Sequence, residues 1–225
     1  MTIVVKTMKK DDTAHLHLSD RFTDAIDYAR RVHTEMRKGT EIPYLAHLLG
    51  VAALVMGEAG HAWTPVNEDM VIAALLHDAA EDHGGLPRLK DIENKFGSDV
   101  ARMVAGLSDS LAENADDKDS WPERKRAYLL RLRDELPDVR LISVADKLYN
   151  ARAILEDYRE VRSLIWKRFK RGREEQLWYF DQLLEVYRGF PAIRIVGEYG
   201  RVVAELRRIS AAEEQSSAPG GAQAL

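Results

Sequence analysis

The stretch Ala74-Leu75-Leu76-His77-Asp78-Ala79-Ala80-Glu81-Asp82-His83 is strongly apolar up to Leu76 and then presents His77, Asp78, Glu81 and Asp82 in quick succession. Such groups are costly to bury unpaired. A helix turns once every ~3.6 residues, so Glu81 lies one turn from both His77 and Asp78, and Asp82 one turn from Asp78. One face can therefore carry ligating groups and a proton-transferring group together. The plainer reading is a helix end that meets solvent. It suits His77 but sets the carboxylates against the negative end of the helix dipole, and is the weaker of the two.

Helical patterning continues on both sides. Upstream, Phe22, Ile26, Ala29 and Val32 advance in steps of three and four behind a capping Ser19, which predicts a helix from Asp20 to Arg37, ended by Gly39 and Pro43. Leu45 to Glu58 is nearly all apolar around His47, as expected of a helix buried on most sides. Asn67 or Glu68 opens the helix that contains the quoted stretch, and Gly84-Gly85 closes it after Asp82. Downstream, helices are predicted at Leu89 to Phe96, Asp99 to Leu107, Trp121 to Glu135, Asp138 to Asp157, Glu160 to Phe169, Glu174 to Tyr187 and Ile193 to Ala212. Pro122, Pro137 and Pro191 stand near the starts of three of them. The polar stretch Asp109 to Ser120 lacks periodicity and reads as a mobile loop. No strand series appears, so the fold class is all-α: a single helical domain over residues 20–212, an N-terminal arm at 1–19 and a flexible tail at 213–225.

With 225 residues, 45% hydrophobic and 31% charged, the chain can fill a sizeable core and is too charged to be membrane-embedded. A net charge of −4 gives no general reason to expect nucleic acid as a partner. Neither an export signal nor a membrane-spanning run is present, and a cytoplasmic location is expected. The absence of Cys excludes disulfides, thiolate zinc sites and a cysteine nucleophile. Any metal must be held by His and carboxylates.

His47, enclosed by Leu45, Leu48, Leu49 and Val51, reads on its own as a core histidine. In Ser143-Val144-Ala145-Asp146-Lys147-Leu148-Tyr149-Asn150-Ala151-Arg152, Asp146 and Asn150 share a helix face at four-residue spacing, and Asp146 alone could pair with a nearby cation. Taken together, His47, His77, Asp78 and Asp146 supply two imidazoles and two carboxylates, a mixed N/O set suited to a first-row divalent ion.

This ordered constellation resembles the HD superfamily of metal-dependent phosphohydrolases. Arg37-Lys38-Gly39-Thr40-Glu41-Ile42-Pro43-Tyr44-Leu45-Ala46-His47, His77 to Asp82, and Ala145 to Arg152 are similar, in order and approximate spacing, to the RelA/SpoT-type alarmone hydrolase branch. The likeness runs from about Phe22 to about Arg188, with Leu177-Trp178-Tyr179-Phe180 similar to the family's last core helix. It implies an all-helical HD-domain bundle that binds manganese and removes the 3′-pyrophosphate from (p)ppGpp, giving GDP or GTP. By position it implies metal ligation by His47, His77, Asp78 and Asp146, and handling of the water and its proton by Glu81 and Asp82. Substrate contacts are implied at Arg37, Lys38, Tyr44 and Asn150, with Lys147 and Arg152 as further phosphate contacts. From the residues alone, Arg37 and Lys38 are equally a cationic helix end, and Lys147 and Arg152 surface partners of neighbouring acids. Trp121, Trp166 and Trp178 read as core or interface anchors, His33 and His83 as structural or solvent-exposed, and Trp and Tyr on the last two helices suit a packed homodimer.

Two departures from the family pattern bear on substrate choice. The loop between Arg37 and His47 is one residue longer than in the long bifunctional enzymes, and Gly106-Leu107-Ser108-Asp109-Ser110 replaces their Asp-Gly-Val-Thr-Lys stretch. The segment Trp121 to Tyr128 adds a cationic helix start that either reaches the phosphates or solvates an outer face. Hydrolysis of another nucleotide, such as a nucleoside or deoxynucleoside monophosphate, and a non-catalytic nucleotide-binding module remain the alternative readings.

Overall fold

The computed structural model describes residues 15–191 and 194–217; most of the expected N-terminal arm, the expected helix start at Ile193 and the last part of the tail lie outside the described residues. Among these, the regular elements are α1 (Asp20–Val32), α2 (Tyr44–Gly57), α3 (Glu68–Leu76), the single turn α4 (Ala79–Asp82), α5 (Gly85–Phe96), α6 (Ser98–Leu107), α7 (Trp121–Leu132), α8 (Pro137–Val161), α9 (Gly172–Arg188) and α10 (Arg194–Ser217). Short 3₁₀ turns lie at Ala115–Asp117 and Arg162–Arg168. The all-α class predicted from the periodicity is the class observed. None of the described helices is long and apolar enough to cross a membrane.

Burial explains the sequence of α3. It packs against α1, α2, α6 and α8, so Met70 through Leu76 are all buried and no polar face exists. Truncating a side chain such as Leu75 to Ala there would cost about 2–5 kcal/mol. Asn67 caps α3 through the Met70 N–H, and Glu68 Oε1 accepts from both the backbone N–H and the hydroxyl of Ser19 at 2.5 and 2.8 Å, tying the start of α1 to that of α3. The long α8 lies centrally, touching α2, α3, α6, α9 and α10. At its crossing with α2, a Cβ on Gly50 would come within 2.0 Å of the Tyr149 ring, so only glycine permits this approach. Gly50 lies one turn beyond His47, and Tyr149 about one turn beyond Asp146. The close crossing thus brings those two side chains together.

Several predicted boundaries change: α5 starts at Gly85 and not Leu89, α7 ends at Leu132 and not Glu135, and four larger differences follow. The first helix ends at Val32, because His33 is extended and the chain doubles back: the Arg37 N–H donates to the Ile42 carbonyl (2.7 Å) and the Tyr44 N–H to that of Glu35 (3.0 Å). Arg37 and Lys38 therefore sit on a loop, and the helix-end reading of this pair falls away. The helix of the quoted stretch is interrupted at His77-Asp78 and resumes as the single turn α4. Residues expected to continue a helix from Glu160 instead close α8 at Val161 and form a 3₁₀ turn. The last helix runs on to Ser217, past the expected end at Ala212.

The stretch Asp109 to Ser120, read from the sequence as a mobile loop, carries a short 3₁₀ turn and is hydrogen-bonded to the rest of the fold at several points. The Leu86 N–H donates to the Leu111 carbonyl (3.2 Å), and a Cβ on Gly85 would lie 2.4 Å from that oxygen. Asp109 itself is buried.

Candidate metal centre and adjoining cavity

Three helical segments converge on one point: α2 brings His47, the break between α3 and α4 brings His77 and Asp78, and α8 brings Asp146. His77 Nε2 lies 2.9 Å from Asp78 Oδ2, 3.3 Å from His47 Nε2 and 3.6 Å from Asp146 Oδ1. His47 Nε2 lies 3.5 Å from Asp78 Oδ2 and 3.4 Å from Asp146 Oδ1. Donors about 2.1 Å from a common ion are separated by about 3.0–3.4 Å between right-angle and tetrahedral geometry, so the atoms of His47, His77 and Asp78 fit around one cation, with Asp146 Oδ1 3.4 and 3.6 Å from the two imidazoles beside them. His77 Nδ1 donates to the Ala74 carbonyl at 2.8 Å, which leaves Nε2 with a lone pair for a metal. The electrostatics ask for positive charge here. Burial opposes the charged form of His77, yet Asp78 and Asp146 outweigh it and drive the imidazole well above its usual range. Burial likewise opposes ionisation of both carboxylates, and their partners win: the charge of His77 and the hydrogen bond from His47 at Asp78, Lys147 and His77 at Asp146.

Beside the ligands stand two carboxyl groups with displaced titrations. Burial first, then the charge of Asp109, pushes Glu81 up to about 8; burial and the charge of Asp78 push Asp82 to about 6. Glu81 Oε2 accepts the Asp109 N–H at 2.8 Å, and the Lys118 ammonium donates to the Glu81 carbonyl at 2.7 Å. The Asp109 carboxylate takes Arg124 at 2.5 Å and Lys125 at 2.7 Å, and these partners hold it low despite burial. Sequence reasoning misses Asp109, since a carboxylate in an aperiodic polar stretch looks solvated. The adjacent cations Arg124 and Lys125 on the next helix were the available signal.

A cavity of about 420 Å³ opens next to this centre, within the usual size range of small-molecule sites, with Arg37, Lys38, Lys125, Lys147 and Asn150 among its lining residues. Asn150 joins the two regions: its Nδ2 donates to Asp146 Oδ1 at 2.6 Å, and its Oδ1 accepts from Arg37 at 2.9 Å. The other terminal nitrogen of Arg37 is buried without a hydrogen-bond partner, a donor held ready for an anion. Lys147 contacts Asp146 Oδ2 at 2.5 Å with a side chain only 17% exposed, so it is no surface residue. Trp121 and Tyr179 also line the cavity, so Trp121 does more than anchor a helix.

Two expected substrate contacts are placed differently. Tyr44 turns its hydroxyl to Asp78 Oδ2 at 2.6 Å and so orients a ligand carboxylate. Arg152 pairs with Glu198 on α10 and is not among the cavity-lining residues; four-residue helical geometry puts Asn150 with Asp146 and turns Arg152 away.

Residues 25–172 match the profile of the HD domain family. The guanosine-3′,5′-bis(diphosphate) 3′-pyrophosphohydrolase MESH1 of Homo sapiens is 38% identical over 136 residues, covering 57% of this chain and 66% of that protein. A guanosine-3′,5′-bis(diphosphate) 3′-pyrophosphohydrolase of Aquifex aeolicus is 31% identical over 143 residues, 64% of this chain and 19% of the relative. Among solved structures, a metazoan ortholog of SpoT described as hydrolysing ppGpp superposes with a TM-score of 0.66 at 24% identity, covering 84% of this chain and 97% of that one, a likeness of fold. A protein of Listeria monocytogenes EGD-e reaches a TM-score of 0.58 at 30% identity, covering 72% and 99%. Matched by the family profile over more than half its length, and carrying an ordered His, His-Asp and Asp constellation on packed helices, the chain belongs to the HD domain family.

Proposed function

We propose that the chain is a cytoplasmic, manganese-dependent hydrolase that removes the 3′-pyrophosphate of (p)ppGpp, leaving GDP or GTP. The observation that carries this reading is the hydrogen-bonded row Arg37, Asn150, Asp146, which joins a cationic cavity directly to the donor set. A substrate with anionic groups in the cavity would present one phosphorus to the reacting centre, while Trp121 and Tyr179 offer faces for a purine. The activity of the relatives from Homo sapiens and Aquifex aeolicus supports the same substrate class.

In this hydrolysis a water oxygen bonds to the phosphorus on the ribose 3′-oxygen, that P–O bond breaks, and the water's proton is lost while the 3′-oxygen gains one. His47, His77, Asp78 and Asp146 would hold the divalent ion, which when bound withdraws charge from a phosphoryl oxygen and lowers the pKa of nearby water. The separated titrations of the two acids support a division of roles. Asp82, near 6, is largely ionised at neutral pH and suits the base that takes the water's proton; Glu81, near 8, is largely protonated and suits the acid that supplies one to the leaving oxygen. Arg37, Lys38, Lys125 and Lys147 would offset the phosphate charge.

The test is to incubate metal-stripped protein with Mn²⁺ and, separately, ppGpp, GTP, GMP and deoxynucleoside monophosphates, resolving products by anion exchange beside a His77→Ala control. GDP and pyrophosphate from ppGpp, absent in the control, is the expected result. Phosphate released from a monophosphate instead would move the substrate assignment to another HD branch.

A further inference from the structure

The geometry points to a second divalent-cation site, separate from the first donor set, formed by His33, Glu35 and His83 and matched to an ion of the zinc type. Its three donors come from different places in the chain. His33 is the C-terminal cap of α1, Glu35 lies on the returning loop, and His83 caps α4. Glu35 Oε1 lies 2.8 Å from His33 Nδ1 and 3.2 Å from His83 Nε2, close to the separations expected of atoms sharing one ion. Two imidazoles and one carboxylate form a donor set that zinc takes in three-ligand sites with an open position. Here the open side exists: the His33 ring is fully buried, whereas the side chains of Glu35 and His83 are 39% and 33% exposed.

The donors are held in place without an ion. The His33 ring stacks on Tyr44 at 4.9 Å and meets the His83 ring edge-on at 4.6 Å, while the Glu35 carbonyl accepts the Tyr44 N–H at 3.0 Å. Tyr44 links the two centres, since its ring stacks on His33 and its hydroxyl holds Asp78.

The full chain, stripped of metal, is equilibrated with Zn²⁺ and in parallel with Co²⁺, whose visible absorption reports nitrogen and oxygen coordination, and bound metal per chain is measured by elemental analysis. The expected result is about two ions per chain in the wild type, about one in His83→Ala and in Glu35→Gln, and about one in Asp78→Ala, with a cobalt spectrum in Asp78→Ala that disappears when His83→Ala is added. His33 is left intact because its buried ring supports the fold, and circular dichroism confirms that the exposed-side variants remain helical. One ion per chain in the wild type, or an unchanged content in both His83→Ala and Glu35→Gln, overturns the proposal. Because the readout is metal content, it stands or falls independently of whether ppGpp is hydrolysed.

Discussion

The donor centre and the cavity beside it are made in opposite ways. His47 and Asp146 rise from the interiors of α2 and α8, and His77 and Asp78 follow the buried run Met70–Leu76 of α3. The cavity is assembled from helix ends and connections: the loop carrying Arg37 and Lys38, the start of α7 with Trp121 and Lys125, the 3₁₀ turn with Arg168, and one face of α8. The first arrangement gives a largely buried donor set, with Asp78 the most exposed of the four; the second gives a lining that touches it through Asn150 and Lys147. On the proposed function, chemistry would belong to the packed part and substrate choice to the connected part.

The strongest way to break that division is to remove a donor. His77→Ala or Asp78→Ala should remove the ion held by this donor set and lower turnover with it, by on the order of 10³-fold or more, since the ion's charge stabilisation amounts to several kcal/mol. Elemental analysis beside a rate assay reads both, and retained activity in either variant would defeat the assignment of these donors. Next in size is Glu81→Gln, which should keep the metal and lower kcat by about 10²–10⁴-fold, the usual contribution of a proton-transferring group. The same variant has a signature in the metal-free protein. Glu81 is raised from 4.5 to about 8 on folding, so the folded chain binds the extra proton between those values and stability falls as pH rises through that window. Wild type should therefore lose more melting temperature than Glu81→Gln between pH 5 and pH 8. The difference between the two proteins reports the charge at Glu81 together with its interaction with Asp109.

How much of this was legible beforehand follows the same contrast. His47, His77, Asp78 and Asp146 stand out because an ionisable group inside an apolar helical run has no other easy explanation; the structure clusters His47, His77 and Asp78 and sets Asp146 within 3.4–3.6 Å of the two imidazoles. The break at His77-Asp78 was not legible: Ala79 and Ala80 continue the apolar pattern, and periodicity alone cannot register a helix that stops and restarts within two residues. Asp109 was hidden by its aperiodic surroundings, and its importance lies in partners on another element, Glu81, Arg124 and Lys125. His33, Glu35 and His83 were hidden for the same reason, because they meet only after the chain has doubled back at Met36 and Pro43. Gly50 shows a subtler limit: a glycine inside an apolar helix reads as a weak point, and only its partner Tyr149 reveals it as the position that sets the distance between α2 and α8.

Substitutions in the cavity sharpen the comparison from the other side. Arg37→Ala or Asn150→Ala should raise KM by roughly 10-fold, the scale of one charge-assisted contact, with kcat less changed and metal content unaltered. Asn150→Ala carries the more informative outcome, because Asn150 touches both regions. A fall in metal content would show that the row from Arg37 to Asp146 supports the donor set as well as the substrate. Unchanged KM in both variants would place the nucleotide elsewhere.

The smallest effect is expected at Arg152, and it tests the boundary of the cavity. Resemblance to the alarmone hydrolases puts this residue among the phosphate contacts, but its guanidinium pairs with Glu198, and the two side chains are 40% and 36% exposed. An exposed pair of this kind contributes about 1 kcal/mol or less, so Arg152→Ala should shift the unfolding midpoint slightly and leave KM and kcat where they were. The neighbouring Asn150→Ala, on the same helix and half a turn away, should do the reverse. If Arg152→Ala raises KM as much as Arg37→Ala does, the substrate reaches past the end of the cavity toward α10, and the Arg152–Glu198 pair must open to admit it.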